Sequence, residues 1–313
     1  MTFLVTDVQD RQYLLSEILS FEMNKSMYVP CHSLYVEFLS PLIEAELKGV
    51  RAFRGEKMVF DGVVDCQRIR TDSRGTRESI QARSTAAKLV DSECEPCTYN
   101  GPGTAALVRS ICGGMGFESR LPNVCTQGVF RTAKGTSCWG ALRAFLKTAA
   151  AGELFVSEEN ALCIYAPTGR TVDLESLCVS ALKTVRRSGT VSRVLYKIGA
   201  DGYRHHADCE DLIKKGIDTA RYLNVSALER TQHRGAAEKI IKDSVRDYIQ
   251  FEVTAAGEPE IELYDRAAGI PLPGAEKEPL YVRELSVLRD TRGSRTQLLL
   301  SPEEKTKENF YVD

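Results

Sequence analysis

The chain has 313 residues, 43% of them apolar and 27% charged, which suits two or three globular cores and excludes a disordered tract or a fibrous repeat. Its 41 basic and 43 acidic residues leave a net charge of −2, so no bulk attraction to nucleic acid or anionic membrane is expected. No apolar run approaches the roughly 20 residues of a membrane helix, and Met1–Asp10 lacks the basic start and apolar middle of a signal peptide; the expectation is cytoplasmic synthesis without a membrane anchor.

From Ser33 to Leu39 the residues alternate, with Leu34, Val36 and Phe38 on one face, which predicts a half-buried strand. Met58-Val59-Phe60 and Val63-Val64, separated by Asp61-Gly62, and then Ser79 to Arg83 continue the signal, so the first 90 or so residues read as antiparallel β. After Asp91 the texture changes. Glu95-Pro96 and Asn100-Gly101-Pro102-Gly103 break it, and Leu107, Val108, Ile111 and Cys112 then mark a helix that Gly113-Gly114 stops. A second helix starts at a Ser137 cap, with Trp139, Leu142, Leu146, Ala149 and Ala150 as its apolar stripe. Glu153–Ser157 and Ala161–Tyr165 make a hairpin across Glu158-Glu159-Asn160.

From about Leu182 the β pattern resumes, with Val194, Tyr196 and Ile198 alternating against Arg193 and Lys197. One helix interrupts it, because Ala237, Ile240, Ile241, Ser244, Val245 and Tyr248 share a face. Phe251 with Val253, Ile261 with Leu263, and the Leu280–Leu300 region supply further strands, and the residues from Pro302 on form a polar tail. Two β-rich segments (1–92 and 182–301) thus flank a small α+β insert (93–181), with 302–313 as the tail.

An internal echo links the β segments. Asp72-Ser73-Arg74-Gly75-Thr76 and Asp290-Thr291-Arg292-Gly293-Ser294 match in residue type at every position, and each joins two strand-like runs. Both are expected as hairpin turns in which glycine takes positive φ. Two related β domains are the economical explanation.

Motifs for chemistry do not assemble. Cys94-Glu95-Pro96-Cys97 has the spacing of a redox pair, but Thr98-Tyr99-Asn100-Gly101-Pro102 cannot continue as the helix that lowers a thiol pKa, and no second C-x-x-C completes a zinc site. The ten cysteines, scattered singly in apolar surroundings, are expected as free thiols. His205-His206 beside Asp208, Cys209 and Glu210 is the one ligand-dense run; adjacent histidines diverge, and Gly202 suggests an exposed loop. His32 and His233 stand alone. Ser180-Ala181-Leu182-Lys183 lacks the companion elements of an S-x-x-K acyltransferase, and Gly113-Gly114-Met115-Gly116 follows a helix where a phosphate loop would follow a strand. The pairs Glu44/Glu46 and Glu158/Glu159 are expected as solvated charge, although a glycosidase needs only two carboxylates in a cleft. No catalytic, cofactor-binding or metal residue is predicted, and the chain is expected not to be an enzyme.

Val59-Phe60-Asp61-Gly62-Val63-Val64-Asp65, then Gln81-Ala82-Arg83-Ser84-Thr85-Ala86-Ala87-Lys88-Leu89-Val90-Asp91 with Glu95-Pro96 behind, Lys134-Gly135-Thr136-Ser137-Cys138-Trp139, Gly216-Ile217 and Arg221-Tyr222-Leu223-Asn224 form an ordered set, within a resemblance that spans about residues 30 to 300. In this order it resembles the baseplate hub proteins of tailed phages and phage-tail-like particles, the group that includes late control protein D and Mu-like hubs. The resemblance implies a mainly β (α+β) fold, with tube-like antiparallel β-barrels in the two β segments. It implies a homotrimer whose six barrels form a quasi-six-fold ring, with a tail tube or distal tail protein on one side, a three-fold spike on the other and a tape measure protein as a further partner. It carries no catalytic residue and no specific nucleic-acid contact. The place it implies is the baseplate of a virion tail or tail-like particle, assembled in the bacterial host cytoplasm. The competing readings are a tail-associated peptidoglycan hydrolase and a spike or effector carrier of a contractile injection system.

Overall fold

The computed structural model describes residues 1–39, 45–73, 75–126, 128–148, 152–166, 168–197, 202–223, 232–277, 279–302 and 310–311. In it the alternating segments become antiparallel strands: β1 (Thr2–Asp7), β2 (Gln12–Leu14), β3 (Ile18–Ser26), β4 (Ser33–Leu39), β5 (Leu47–Arg54), β6 (Lys57–Asp72) and β7 (Gly75–Ser84). Then come α1 (Ala87–Asp91), β8 (Cys97–Asn100), α2 (Thr104–Cys112), β9 (Glu118–Ser119), β10 (Val129–Thr132), α3 (Cys138–Thr148), β11 (Leu154–Val156) and β12 (Ala161–Ile164). The later part holds β13 (Thr171–Asp173), β14 (Cys178–Val185), β15 (Arg193–Tyr196), β16 (His205–Cys209), α4 (Glu210–Lys214), β17 (Ala220–Leu223), α5 (Gln232–Val245), β18 (Ile249–Ala256), β19 (Arg266–Ala268), β20 (Leu280–Asp290), β21 (Gly293–Pro302) and β22 (Phe310–Tyr311). The fold is mainly β, as its alternation predicts.

The chain divides into two units. The first comprises Met1–Arg170, Ala256–Tyr264 and Arg283–Gln297; the second comprises Thr171–Ala255, Asp265–Val282 and Leu298–Asp313. In the first unit the hydrogen-bonded strand order is β2-β1-β5-β6-β7-β4-β3-β20, antiparallel throughout. Its buried face carries Phe3, Phe21, Leu34, Val36, Phe38, Phe60 and Ile80. A second buried cluster of this unit brings Leu107, Ile111, Trp139, Leu142, Phe145 and Leu146 from α2 and α3 against Ala86 and Leu89 at α1 and Leu154 and Leu162 of the β11–β12 hairpin. The Ser137 cap is real, its Oγ accepting from the Gly140 N–H at 3.1 Å. Of the predicted stripe, Ala149 and Ala150 lie outside the described residues.

In the second unit β14 pairs with β18, β13 with β19, and β17-β15-β16-β22 form a small sheet. The amphipathic α5 lays Ala237 and Ile241 against Val191, Val194 and Tyr196, and Ser244 Oγ accepts from the Val191 N–H at 2.9 Å. Ile198, Asn224 and the side chain of His233 fall outside the described residues.

Three expectations are corrected. Asp61-Gly62 does not separate two strands: β6 runs through it for 16 residues, because a Cβ at Gly62 would stand 2.4 Å from the Arg83 carbonyl oxygen and 2.5 Å from the Phe60 ring, and glycine alone fits there. Ile261 and Leu263 form no strand. The chain turns at Gly257 (φ 73°) and Tyr264 (φ 69°), and Ile261 is buried from an irregular segment. His205-His206 lie on β16 and not in a loop, since β15 offers a full antiparallel partner. From the expected C-terminal tail, Phe310–Tyr311 pair with β16, while residues 303–309 and 312–313 lie outside the described residues.

Candidate functional site

The motifs weighed for chemistry are scattered. Cys94 is buried with its Sγ toward the Thr136 carbonyl oxygen at 3.3 Å, whereas Cys97 is exposed at the start of β8; all ten cysteines are free. On β16 the two histidines face opposite ways, as strand geometry requires. His205 stacks on Tyr196 with ring centroids 5.7 Å apart, and His206 Nε2 lies 3.8 Å from Asp208 Oδ2, which is already held by Arg193. Ser180 and Lys183 sit on β14, and Lys183 Nζ donates to the Pro273 carbonyl at 3.1 Å. Trp139 belongs to the α2–α3 cluster, Glu46 is exposed, and Glu44 and Arg74 lie outside the described residues. Among the described residues no three His, Cys, Asp or Glu side chains converge as a metal site needs.

Polar residues do converge in the first unit, where β4, β6 and β7 meet α1 and the β11–β12 turn. Arg83, on β7, is the hub of this junction. Its Nε and Nη2 grip Asp65 of β6 at 2.7 and 2.9 Å, and its Nη1 and Nη2 grip Asp91, at the end of α1, at 3.0 and 2.7 Å. Such forked pairs fix geometry as well as charge. The guanidinium pulls the Asp91 carboxyl below its ordinary pKa. One strand on, His32 and Ser84 exchange hydrogen bonds: the Ser84 N–H donates to the His32 carbonyl at 2.9 Å, and the His32 N–H donates to Ser84 Oγ at 3.1 Å. Asp61 accepts from Asn160 Nδ2 at 3.0 Å and Arg51 Nε at 3.3 Å, and its carbonyl accepts from the Thr85 N–H at 3.1 Å.

Behind them lies a buried cation. Lys25 of β3 is 3% exposed and bonds Glu158, with Glu262 Oε2 at 3.5 Å. A buried ammonium needs such partners. Glu158 is thus a counter-ion and not simply the solvated charge expected, while Glu159 pairs with Arg120 at 2.8 Å on the surface. His32 completes the group. Burial and the nearby Lys25 ammonium push its pKa down to about 3, and among the described residues its Nδ1 has no hydrogen-bond partner. It lines a cavity with Phe60, Asp61, Ser84, Ser157 and Glu158 that has room for about one water molecule.

Chemically the junction joins elements: its carboxylates are committed to Arg83, Arg51, Asn160 and Lys25, and the cavity is too small for an organic ligand. Asp61, Gly62, Asp65, Arg83, Ser84, Thr85 and Asp91, all part of the ordered sequence set, lie in it. Lys25 and Glu262 carry no motif in the sequence, since what pairs them is the fold.

A mainly β architecture of this kind, with a small α+β insert, is the fold of phage tail proteins. Over 96% of its length the chain superposes on 98% of the 43 kDa tail protein of prophage MuSo2 from Shewanella oneidensis, with a TM-score of 0.79 at 12% identity. It covers 96% of a tail protein from Neisseria meningitidis with 96% of its own length, at a TM-score of 0.72 and 12% identity. A type VI secretion system component of Escherichia coli is similar at a TM-score of 0.56 and 8% identity, over 95% of this chain and 76% of that one. No protein-family model and no curated protein sequence matches the chain.

Proposed function

We propose that the chain is a structural baseplate hub subunit of a phage or phage-like tail. Its two β modules, related by duplication, act as tube-like barrels, and three chains set six of them in a quasi-six-fold ring. That ring meets the tail tube or a distal tail protein on one side and offers three-fold symmetry to a spike on the other, with the tape measure protein as a further neighbour. The subunit works by its surfaces, without catalysis or cofactor, in a tail-like particle assembled in the bacterial host cytoplasm.

The observation that carries this reading is the repeated hairpin. Gly75 and Gly293 turn the chain at φ 110° and 103°, and Asp72 and Asp290 each bind the arginine five residues on. The fold shared with prophage tail proteins supports it, as does the likeness to the Escherichia coli secretion component, which itself resembles the bacteriophage T4 tail proteins gp27 and gp5. Light scattering on the purified chain, alone and with tube and spike proteins, should give a trimer, and cryo-electron microscopy of the assembly a ring with six-fold pseudo-symmetry. A monomer under both conditions, with no ring, would overturn the proposal. Clearing of peptidoglycan in a zymogram would replace it with the hydrolase reading.

A further inference from the structure

The turn between β11 and β12 covers a buried imidazole. Ser157 and Glu158 of this turn line the His32 cavity, as do Asp61 of β6 and Ser84 of β7. Polar ties hold the turn down on the sheet: Glu158 accepts from the Lys25 ammonium, and Asn160 Nδ2 donates to Asp61 Oδ2 at 3.0 Å. Within the turn the Asn160 N–H donates to the Ser157 carbonyl at 3.0 Å, and the Ser157 N–H donates to the Ala161 carbonyl at 2.9 Å. Val156 and Leu162 on either side belong to the buried α2–α3 cluster, which confines any opening to the tip between them.

Charge around the imidazole balances only while the ring is neutral. Glu158 and Glu262 share the Lys25 ammonium, and Asp61 is held by Arg51 Nε at 3.3 Å. Lys57 lies 3.0 Å from Glu262, and its other partner, Glu260, is matched by Arg170 at 3.3 Å. Four carboxylates from β6, the turn and residues 257–264 thus meet four cations. β7 adds the neutral Ser84, with Arg83 engaged by Asp65 and Asp91, and burial keeps the adjacent Cys31 thiol uncharged. A proton on His32 would be an unmatched fifth cation beside a buried ammonium, and the cheapest relief is to admit water. Strands paired on both sides cannot easily move to do so, whereas a four-residue turn can. We infer that residues 157–160 are an acid-opened lid: protonation of His32 lifts the turn off Lys25 and Asp61 and lets solvent in, while the sheet beneath stays folded. The covered imidazole takes its proton at about 3 and a solvated one at 6.5, so acid drives opening throughout the interval between them.

Hydrogen exchange of the full chain, read by mass spectrometry and corrected for the intrinsic effect of pH on exchange, tests the lid. Peptides spanning 153–165, which carry the Ser157 and Asn160 amides, should open about twentyfold more at pH 5 than at pH 7, while peptides from β4 and β7 keep their protection. His32→Gln should abolish that rise. Glu158→Gln, which removes a tie and leaves the imidazole in place, should open the turn severalfold at pH 7 and keep a rise towards pH 5. The wild-type comparison needs no variant: equal exchange of 153–165 at the two pH values would overturn the inference. A rise shared in equal measure by the β4 and β7 peptides would also overturn it, because the whole sheet would then be unfolding. So would a rise that persists in a folded His32→Gln chain, since another group would then be taking the proton.

Discussion

Asp72 and Asp290, 218 positions apart, hold equivalent places: each ends a strand three residues before a glycine, and each accepts from the guanidinium five residues on, Arg77 at 2.6 Å and Arg295 at 3.1 Å. The glycines that follow have open space where a Cβ would stand, so what demands glycine is backbone conformation and not crowding. Gly75→Ala and Gly293→Ala should therefore each lower the unfolding free energy by about 1–2 kcal/mol, with urea titration as the measurement. Asparagine at either position should cost less than alanine, since it tolerates left-handed backbone better.

Asp290 also predicts a pH dependence. The Arg292 backbone N–H, together with the guanidinia of Arg292 and Arg295, holds its carboxyl at about 2, below the ordinary 3.8. A depressed carboxyl stabilises the fold above its unfolded pKa and loses that contribution as pH falls through the folded value. Asp290→Asn should melt below wild type at pH 7. The gap between the two thermal midpoints should close between about pH 4 and pH 2. An unchanged gap at pH 2 would mean that the ion pair is not what anchors the turn.

The turn was legible in the sequence because Asp-x-Arg-Gly is local chemistry: both the glycine and the carboxylate act within five residues. The strands of 33–39 and 79–83 and the stripes of α2, α3 and α5 were legible for the same reason, since periodicity is written along the chain. The second half of β6 was not, because Arg68, Ile69 and Arg70 are all exposed and no alternation marks them. Nor was the junction. Lys25 and Glu158 lie 133 residues apart, and Glu158 looks like any turn carboxylate until the fold brings the ammonium to it. His205-His206 misled for the complementary reason: an isolated Gly202 suggested a loop, and the partner that makes the segment a strand, β15, is a tertiary fact.

The Arg83 clamp is where the junction should be most sensitive to chemistry. Arg83→Lys keeps the charge and loses the two forks, so it should destabilise nearly as much as Arg83→Ala, by roughly 1 kcal/mol for these partly exposed pairs. A double-mutant cycle of Arg83→Ala with Asp91→Ala should show coupling, because the guanidinium binds both carboxylates at once. Gly62→Ala should cost more, on the order of 3 kcal/mol, since its Cβ meets the rigid Arg83 carbonyl. Additive effects of Arg83 and Asp91 in urea titrations would break this account of the clamp.

His32 makes the sharpest prediction, because it is buried in its neutral form. Its folded pKa of about 3 lies far below the ordinary 6.5, owing first to burial and then to Lys25. Between those values the unfolded chain binds a proton that the folded chain refuses. Stability is therefore full above about pH 6.5 and declines as pH falls, by about 1.4 kcal/mol per pH unit for this one group. His32→Gln cannot take up that proton, so the difference in unfolding free energy between wild type and variant should drift in the variant's favour from pH 6 to pH 4. Lys25→Met removes one of the two charges that bear on the ring and the one that disfavours protonation, so in that background the decline should span a narrower pH window. Parallel pH profiles for wild type and His32→Gln would show that the histidine is protonated, or reached by solvent, in the folded chain.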